Sequence, residues 1–331
     1  MTPSTYRPKV SIVMSFCNEP LQWIRFAVES ILKQSFTDFE VIIVCDNPQH
    51  SEGIKYIEGL SDGRIQLILN KENLGPTKSF NIGISASCGE YIAKMDADDI
   101  SLPERLAKQV DYLDAHPQIS VCATDVHRIG SDGKIIRRNR YRTKRDQSLL
   151  LIQNCIAHPS VMYRRSLLEL RDPLYNEDFR YAQDYELWQF LTLKGCRMHM
   201  LEEALLLYRN SPQQISRAKR STQAGLFKKA HRSFVTQWLI SHGIIEADDA
   251  ADLKTMLKKS THAYRSCTDD DSRRCLANII FVLYFALGTN DWRYRFRYLL
   301  DTNLIAFRLR FVYTFRLLFS RKSRHNRNGF I

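Results

Sequence analysis

Short apolar runs that take turns with helical periods dominate the first hundred residues, and this alternation leaves few folds open. Val10 to Ser15 reads as a strand. Leu21 to Gln34 reads as a helix with Ile24, Val28, Ile31 and Leu32 on one face, opened by Asn18 and Pro20. Phe39 to Val44 has the character of a strand covered by helices on both sides. A helix at Gly53 to Leu60, a strand at Ile65 to Leu69, a helix at Thr77 to Ala86 and a strand at Tyr91 to Met95 continue the series. Strands and helices in strict alternation predict an α/β fold with a largely parallel sheet, a Rossmann-like nucleotide-binding half.

Beyond Asp99 the rhythm loosens. A helix is expected from Pro103 to Ala115, with proline in its first turn. Ile119 to Arg140 reads as strands joined by the Gly130–Gly133 turn, His158 to Tyr163 as a short strand, and Leu187 to Leu193 as a helix. The polar, basic stretch 213–222 marks a boundary between a catalytic domain, residues 1–220, and a mostly helical, basic region, residues 221–331.

Composition narrows the setting. With 331 residues, 44% of them hydrophobic and 25% charged, the chain has material for one large domain and an appendage. Its eight cysteines fall singly, without a C-x-x-C pair, and read as packed, reduced thiols. No secretory signal is read at the N-terminus, and the apolar run Leu276 to Leu287 falls well short of the roughly 20 residues a spanning helix needs. The net charge of +12 is concentrated at the end: residues 292–331 hold ten Lys or Arg against one acid, Asp301, interleaved with ten aromatic residues. That mixture suits an anionic membrane surface; a helical core element with a solvated basic tail is the plainer reading, and nucleic acid the third.

The strongest chemical signal is Asp96-Ala97-Asp98-Asp99, directly after the Tyr91–Met95 strand. Ligands of open α/β sheets bind outside the carboxyl ends of the strands. Carboxylates this close repel one another unless a cation or a proton intervenes, and a hard divalent ion shared with nucleotide phosphates satisfies them. For Asp99 alone a helix cap competes with a ligand role. Two other strand ends face the same edge: Ser15-Phe16-Cys17-Asn18-Glu19, where Phe16 offers a ring to a base, and Cys45-Asp46-Asn47, where Asp46 offers an acceptor to a base or ribose. Asn73, Gly75 and Lys78 precede or open a helix and present amides and a cation to a diphosphate. The candidates for a nucleotide are Ser15, Phe16, Asn18, Glu19, Asp46, Asn73, Gly75, Lys78, Asp96 and Ala97, with Asp96 and Asp98 for a metal; taken singly, each strand-end residue is more often a turn residue than a ligand. Asp184, in Gln183-Asp184-Tyr185-Glu186-Leu187-Trp188, is either a helix cap or a general base. Neither G-x-G-x-x-G nor G-x-x-x-x-G-K-[ST] occurs, which disfavours dinucleotide oxidoreductases and P-loop enzymes.

Five ordered blocks, Val10 to Glu19, Ser30 to Phe36, Gly89 to Asp99, Ala157 to Met162 and Asp184 to Trp188, resemble glycosyltransferase family 2, the inverting transferases of GT-A fold. The resemblance implies that Asp96 and Asp98 form a D-x-D element, with Asp98 the direct ligand of Mn2+ or Mg2+. It further implies that Asp46 contacts uracil or ribose and that Asp184 is the catalytic base. His158 and Trp188, in the last two blocks, are the acceptor-side candidates. Two departures stand out: Cys45-Asp46 in place of Asp-Asp, and Gln183-Asp184 in place of Glu-Asp. The Q-x-x-R-W signature of processive synthases is missing, which favours transfer of a single sugar. The function expected is transfer of galactose or glucose from a UDP-sugar to GlcNAc-diphosphate-undecaprenol, with a β-linkage, for O-antigen or another surface polysaccharide. The expected place is the cytoplasmic face of a bacterial inner membrane, held peripherally, without nucleic acid. The alternatives are another nucleotide sugar, a non-catalytic membrane- or polyanion-binding relative, and a nucleotidyltransferase.

Overall fold

The computed structural model describes residues 7–138, 150, 154–211 and 220–287. The alternation predicted for the first hundred residues is present: β1 (Val10–Phe16), α1 (Leu21–Leu32), β2 (Phe39–Cys45), α2 (Ser51–Glu58), β3 (Ile65–Leu69), α3 (Pro76–Ala86) and β4 (Tyr91–Asp96) follow in order. These strands pair in parallel as β3-β2-β1-β4, with Phe16 beside Cys45 and Ser15 beside Asp96. Parallel pairing brings the carboxyl ends of β1, β2 and β4 to one edge, so the three loops singled out above do meet.

The sheet then changes character. Strand β5 (Ile100–Ser101), helix α4 (Arg105–Ala115), β6 (Ile119–Ile129), β7 (Ile135–Arg138), β8 (Met162–Arg164), α5 (Gln183–Leu193) and β9 (Arg197–Arg209) build the second half. β8 lies antiparallel to both β4 and β6, β9 runs parallel to β6, and β7 folds back on β6 as a hairpin. The result is one nine-stranded mixed sheet.

Three local expectations shift. Pro103 stands before α4 rather than in it, because Glu104 caps the helix. The segment expected as a strand from His158 begins instead as a 3-10 turn, His158–Ser160, before β8. β9, the thirteen-residue strand Arg197–Arg209, was not foreseen: its burial does not alternate and its middle carries Glu202 and Glu203.

Two apolar clusters sandwich the sheet. Ile12, Met14, Val41, Ile43, Tyr91, Ala93 and Met95 face α1 and α4, while Val13, Ile42, Ile92, Val121 and Tyr163 face α3 and α5. Adjacent residues of one strand thus feed opposite cores, as the pleat requires. Gln34, just past α1, is only 5% exposed and ties the end of α1 to the segment that leads into α4: its Nε2 donates to the Leu102 carbonyl (2.8 Å) and Ser101 Oγ (3.1 Å), and its Oε1 accepts from the Leu106 amide (3.1 Å). The Ser30–Phe36 block therefore fixes the start of α4.

The chain divides into two compact units, residues 1–238 and 239–331. The break falls inside α6 (Arg220–Ser241), not at residue 220. In the first unit, Leu226, Phe227 and Ala230 of α6 pack with Phe179 and Tyr185. In the second, α7 (Leu253–Ser266), capped by Asp252, contacts α8 (Asp270–Leu287), in agreement with the helical reading of this region. No described helix is long and apolar enough to cross a membrane. All eight cysteines are free thiols. The basic, aromatic stretch 292–331 lies outside the described residues.

Gly89 opens β4 where the chain passes against β1: a Cβ there would meet the Ser11 amide nitrogen at 2.6 Å and the Val10 carbonyl carbon at 2.8 Å. Backbone cannot give way as a flexible side chain does. Gly89→Ala is expected to cost about 1–3 kcal/mol of stability, read as a lowered urea midpoint with an unchanged m-value.

Candidate active site

β4 ends at Asp96, and the chain turns at once, the Asp99 amide donating to the Asp96 carbonyl (3.2 Å). This turn brings carboxylate oxygens of Asp96, Asp98 and Asp99 within 4.8 Å of one another. Burial and the neighbouring charges of Asp96 and Glu19 push the Asp98 carboxyl up to about 7. Burial, with Asp98 and Asp96 beside it, drives Asp99 well above the usual carboxylate range. The cap alternative for Asp99 is set aside, because Asp99 is fully buried and its Oδ1 accepts from the Arg209 amide across the sheet (2.7 Å). Its Oδ2 is buried without a partner. An all-oxygen donor set, short of positive charge and holding one orphaned oxygen, fits a hard divalent cation such as Mn2+ or Mg2+.

Three cations absent from the sequence reading hold this turn. Arg209, at the end of β9, is 1% exposed; its Nε donates to the Asp98 carbonyl (2.6 Å), its Nη1 to the Gly130 and Ser131 carbonyls (3.0 and 3.2 Å), and its guanidinium lies over Trp23. Lys94, two residues before Asp96 on the same strand face, is 5% exposed, forms an ion pair with Asp96 and lies 4.6 Å from the Phe80 ring centroid. Arg105, at the start of α4, is buried and donates to the Lys94 carbonyl (2.7 Å) from behind. Only Lys94 was near a motif. Arg209 and Arg105 come from positions that a single sequence presents as ordinary surface arginines.

The donor-side residues gather at the expected edge, several with different duties. Phe16 is 1% exposed, its ring set edge-on to His50 at 5.3 Å, so it belongs to the core and is not available to stack on a base. Asp46 is 3% exposed; Oδ1 accepts from Asn70 Nδ2 (2.9 Å) and the Leu74 amide (2.8 Å), and Oδ2 from the Gly75 amide (2.9 Å). Asp46 therefore pins the loop before α3, and its carboxylate takes two of the amides at that helix start, those of Leu74 and Gly75. Glu19 folds back onto its own loop, accepting from the Cys17 and Asn18 amides (2.6 and 3.1 Å). Asn18 Oδ1 accepts from Asn47 Nδ2 (2.9 Å), and Asn73 Nδ2 donates to Cys17 Sγ (3.0 Å), stitching the three loops together. Lys78 faces Glu177 at 3.5 Å across an exposed pair. Gly75 adopts φ +90°, and a Cβ there would meet the Arg180 guanidinium at 2.4 Å, so this glycine lets Arg180 lie on the loop. Ser15 and Ala97 remain where the strand ends place them, beside Asp96.

Asp184 sits in the first turn of α5, where Oδ2 accepts from Asn154 Nδ2 (2.6 Å). Burial raises its pKa, opposed by the hydrogen bonds from Tyr185 and Asn154, and the charge of Asp96 raises it further. The charge of Asp96 is the least of these influences, behind burial and the hydrogen bonds. His158 lies beneath it, its Nε2 sharing a hydrogen bond with the Tyr175 hydroxyl (2.9 Å); burial, then Lys94, lowers its pKa well below the usual value and keeps the ring neutral. Trp188 is fully buried, with its ring edge-on to His158 at 6.1 Å, so it supports His158 and does not itself touch an acceptor.

Residues 11–171 match glycosyl transferase family 2. Over 221 residues the chain is 34% identical to an uncharacterized glycosyltransferase of Methanocaldococcus jannaschii, covering 65% of this chain and 76% of that one. The chain belongs to glycosyl transferase family 2. It is also 28% identical over 193 residues to the O-antigen biosynthesis glycosyltransferase WbnJ of Escherichia coli, covering 57% of this chain and 74% of that one. Among solved structures it resembles S. aureus TarS in complex with UDP-GlcNAc, with TM-score 0.58, 16% identity and coverage of 84% and 81% of the two chains. It resembles the mannosyltransferase PcManGT of Pyrobaculum calidifontis, solved with GDP-Man and Mn2+, with TM-score 0.53, 16% identity and coverage of 96% and 89%. The GT-A fold expected from the sequence blocks is the fold of this transferase.

Arg209→Met leaves the Asp98 carbonyl and two hairpin carbonyls without their donor, next to buried carboxylates. The variant is expected to lose about 2–4 kcal/mol of stability and most of its transferase activity. Arg209→Lys is expected not to rescue it, because one ammonium does not span the fork. Thermal melts together with nucleotide-release assays check both.

Proposed function

We propose that this family-2 transferase is an inverting, metal-dependent hexosyltransferase that moves galactose or glucose from a UDP-sugar to GlcNAc-diphosphate-undecaprenol, forming a β-linkage in O-antigen or a related surface polysaccharide. The observation that carries this reading is the Asp96–Asp98–Asp99 cluster at the end of β4, an all-oxygen donor set with one buried, orphaned oxygen, together with Asp184 held by Asn154 at the start of α5. One group is suited to a metal-bound leaving diphosphate and the other to an acceptor hydroxyl. The nucleotide sugars in the structures of TarS and PcManGT and the O-antigen role in the name of WbnJ support the donor class and the pathway class.

Asp98, Asp96 and Asp99 would hold the cation, which when bound supplies positive charge to the departing diphosphate. The chain's own residues do the rest. Asp184 accepts the proton of the acceptor hydroxyl, and that oxygen attacks the anomeric carbon from the side opposite the nucleotide, inverting its configuration. Asn154 orients Asp184, while burial keeps its proton affinity above that of a solvated aspartate. Lys94 balances Asp96, and Arg209 keeps the turn in shape as charge develops beside it. Action at the cytoplasmic face of the inner membrane, through the basic residues of 292–331, completes the proposal.

UDP release from a panel of UDP-sugars, with a synthetic GlcNAc-diphosphate-lipid acceptor and Mn2+, tests the reading. Acceptor-dependent release is expected from UDP-galactose or UDP-glucose. Asp184→Asn is expected to lower kcat by roughly 10²–10⁴ and Asp98→Ala to abolish metal-dependent transfer. Release from no UDP-sugar under these conditions would overturn the donor and acceptor assignment.

Metal uptake also carries a pH signature. A carboxyl raised in the folded state stabilises the metal-free protein at low pH and loses that contribution as pH rises through about 7, while a bound cation must displace the same proton below it. The rise in melting temperature given by a fixed Mn2+ concentration is expected to be larger at pH 8 than at pH 6, with an apparent affinity roughly tenfold weaker at the lower pH.

A further inference from the structure

The β6–β7 hairpin carries a charge arrangement that no ion pair balances among the described residues. Its register places Arg128 opposite Arg137 and His127 opposite Arg138. Residues directly opposite in an antiparallel pair share a face, with Cβ atoms about 5 Å apart, and like charges there are destabilising. None of the three arginines has an ion-pair partner among the described residues; Asp132, in the hairpin turn, faces Lys134 at 3.7 Å. Beside them on the exposed strand, Ile135 and Ile136 are 42% and 57% open to solvent.

The row continues toward the active site. Arg128 neighbours Tyr208 across β6 and β9, and its guanidinium lies 5.3 Å from the centroid of that ring. Tyr208 in turn senses the charges of Asp99, Asp96 and Asp98. Arg209, the next residue, binds both the Asp98 carbonyl and the Gly130 and Ser131 carbonyls at the hairpin turn. The hairpin is thus tied to the Asp98 turn by one guanidinium. Two cations held side by side make a site for an anion with several oxygens, since each guanidinium presents a fork of donors.

We propose that Arg128 and Arg137 bind the phosphates of the acceptor, so that a phosphate-bearing acceptor enters along the β6–β7 edge with its apolar part against Ile135, two residues from Arg137 on the same exposed strand. The inference rests on the diphosphate-linked acceptor proposed above and gives it a place on the protein. The donor's diphosphate belongs to the carboxylate cluster on the other side of Tyr208, so the two anions do not compete.

The test uses the full chain and the Arg128→Gln/Arg137→Gln variant in two arms. In the first, kcat/KM is measured for a short-chain GlcNAc-diphosphate-lipid and for the phosphate-free alkyl GlcNAc glycoside of the same chain. The preference for the diphosphate acceptor is expected to fall about tenfold or more in the variant, the loss of one charge-assisted contact or more; an unchanged preference overturns the inference. In the second arm, inorganic pyrophosphate is added in the presence of EDTA and melting is followed. Pyrophosphate is expected to raise the melting temperature of the native chain and to do so less in the variant, and an equal rise in both overturns the inference. If neither acceptor is used by either protein but the pyrophosphate effect is lost in the variant, the anion site stands and the acceptor assigned under the proposed function falls.

Discussion

Repulsion among three crowded carboxylates, one of them fully buried, is the constraint around which this molecule is arranged. Asp96, Asp98 and Asp99 converge within 4.8 Å at the end of a central strand, in surroundings that drive two of them toward protonation. Such a cluster survives only where the backbone is held rigidly and where positive charge arrives from elsewhere. Lys94 supplies it from the same strand, Arg105 braces that strand from behind, and Arg209 reaches in from the opposite end of the sheet. The mixed second half of the sheet then has a clear purpose: β9 exists to deliver Arg209 and the amide that binds Asp99.

The second carboxylate system obeys a different logic. Asp184 has no acidic neighbour in sequence, Gln183 standing where the family resemblance led to expect glutamate, and its environment is set by Asn154 and by burial. The aromatic wall below it, His158, Tyr175, Trp188 and Phe80, packs edge to face and holds a neutral imidazole. A metal-type cluster and a base-type carboxylate thus stand on separate elements whose relative position depends on core packing, so that damage to the core is felt as damage to chemistry.

How far the sequence could be read depended on the range of the interactions involved. The parallel half was legible because each strand and helix carries its own periodicity, and the loop convergence followed from parallelism alone. The Asp96–Asp99 turn was legible because its chemistry is local. The packing of Phe16 against His50 and the hydrogen bonds of Asp46 to the loop before α3 were not legible, since position at a strand end says nothing of whether a side chain turns to the solvent or into the core. Arg105 and Arg209 were invisible because a buried arginine is defined by partners far away in the chain: Arg209 binds at positions 98, 99, 130 and 131. β9 escaped because its two faces are unequally covered along its length, which erases the period-two signal.

The occupation of Asp46 has a thermodynamic meaning of its own. A loop whose amides wait for a ligand is ordered only when the ligand arrives, and binding then loses the freedom of every residue it fixes. Here the carboxylate of Asp46 takes those amides permanently, and Asn18, Asn47, Asn70 and Asn73 complete the lattice. Under the proposed function a nucleotide at this edge would meet a surface already set in shape, so that its affinity would reflect contact chemistry with little deducted for ordering the chain, and its departure would leave the loop ready for the next molecule.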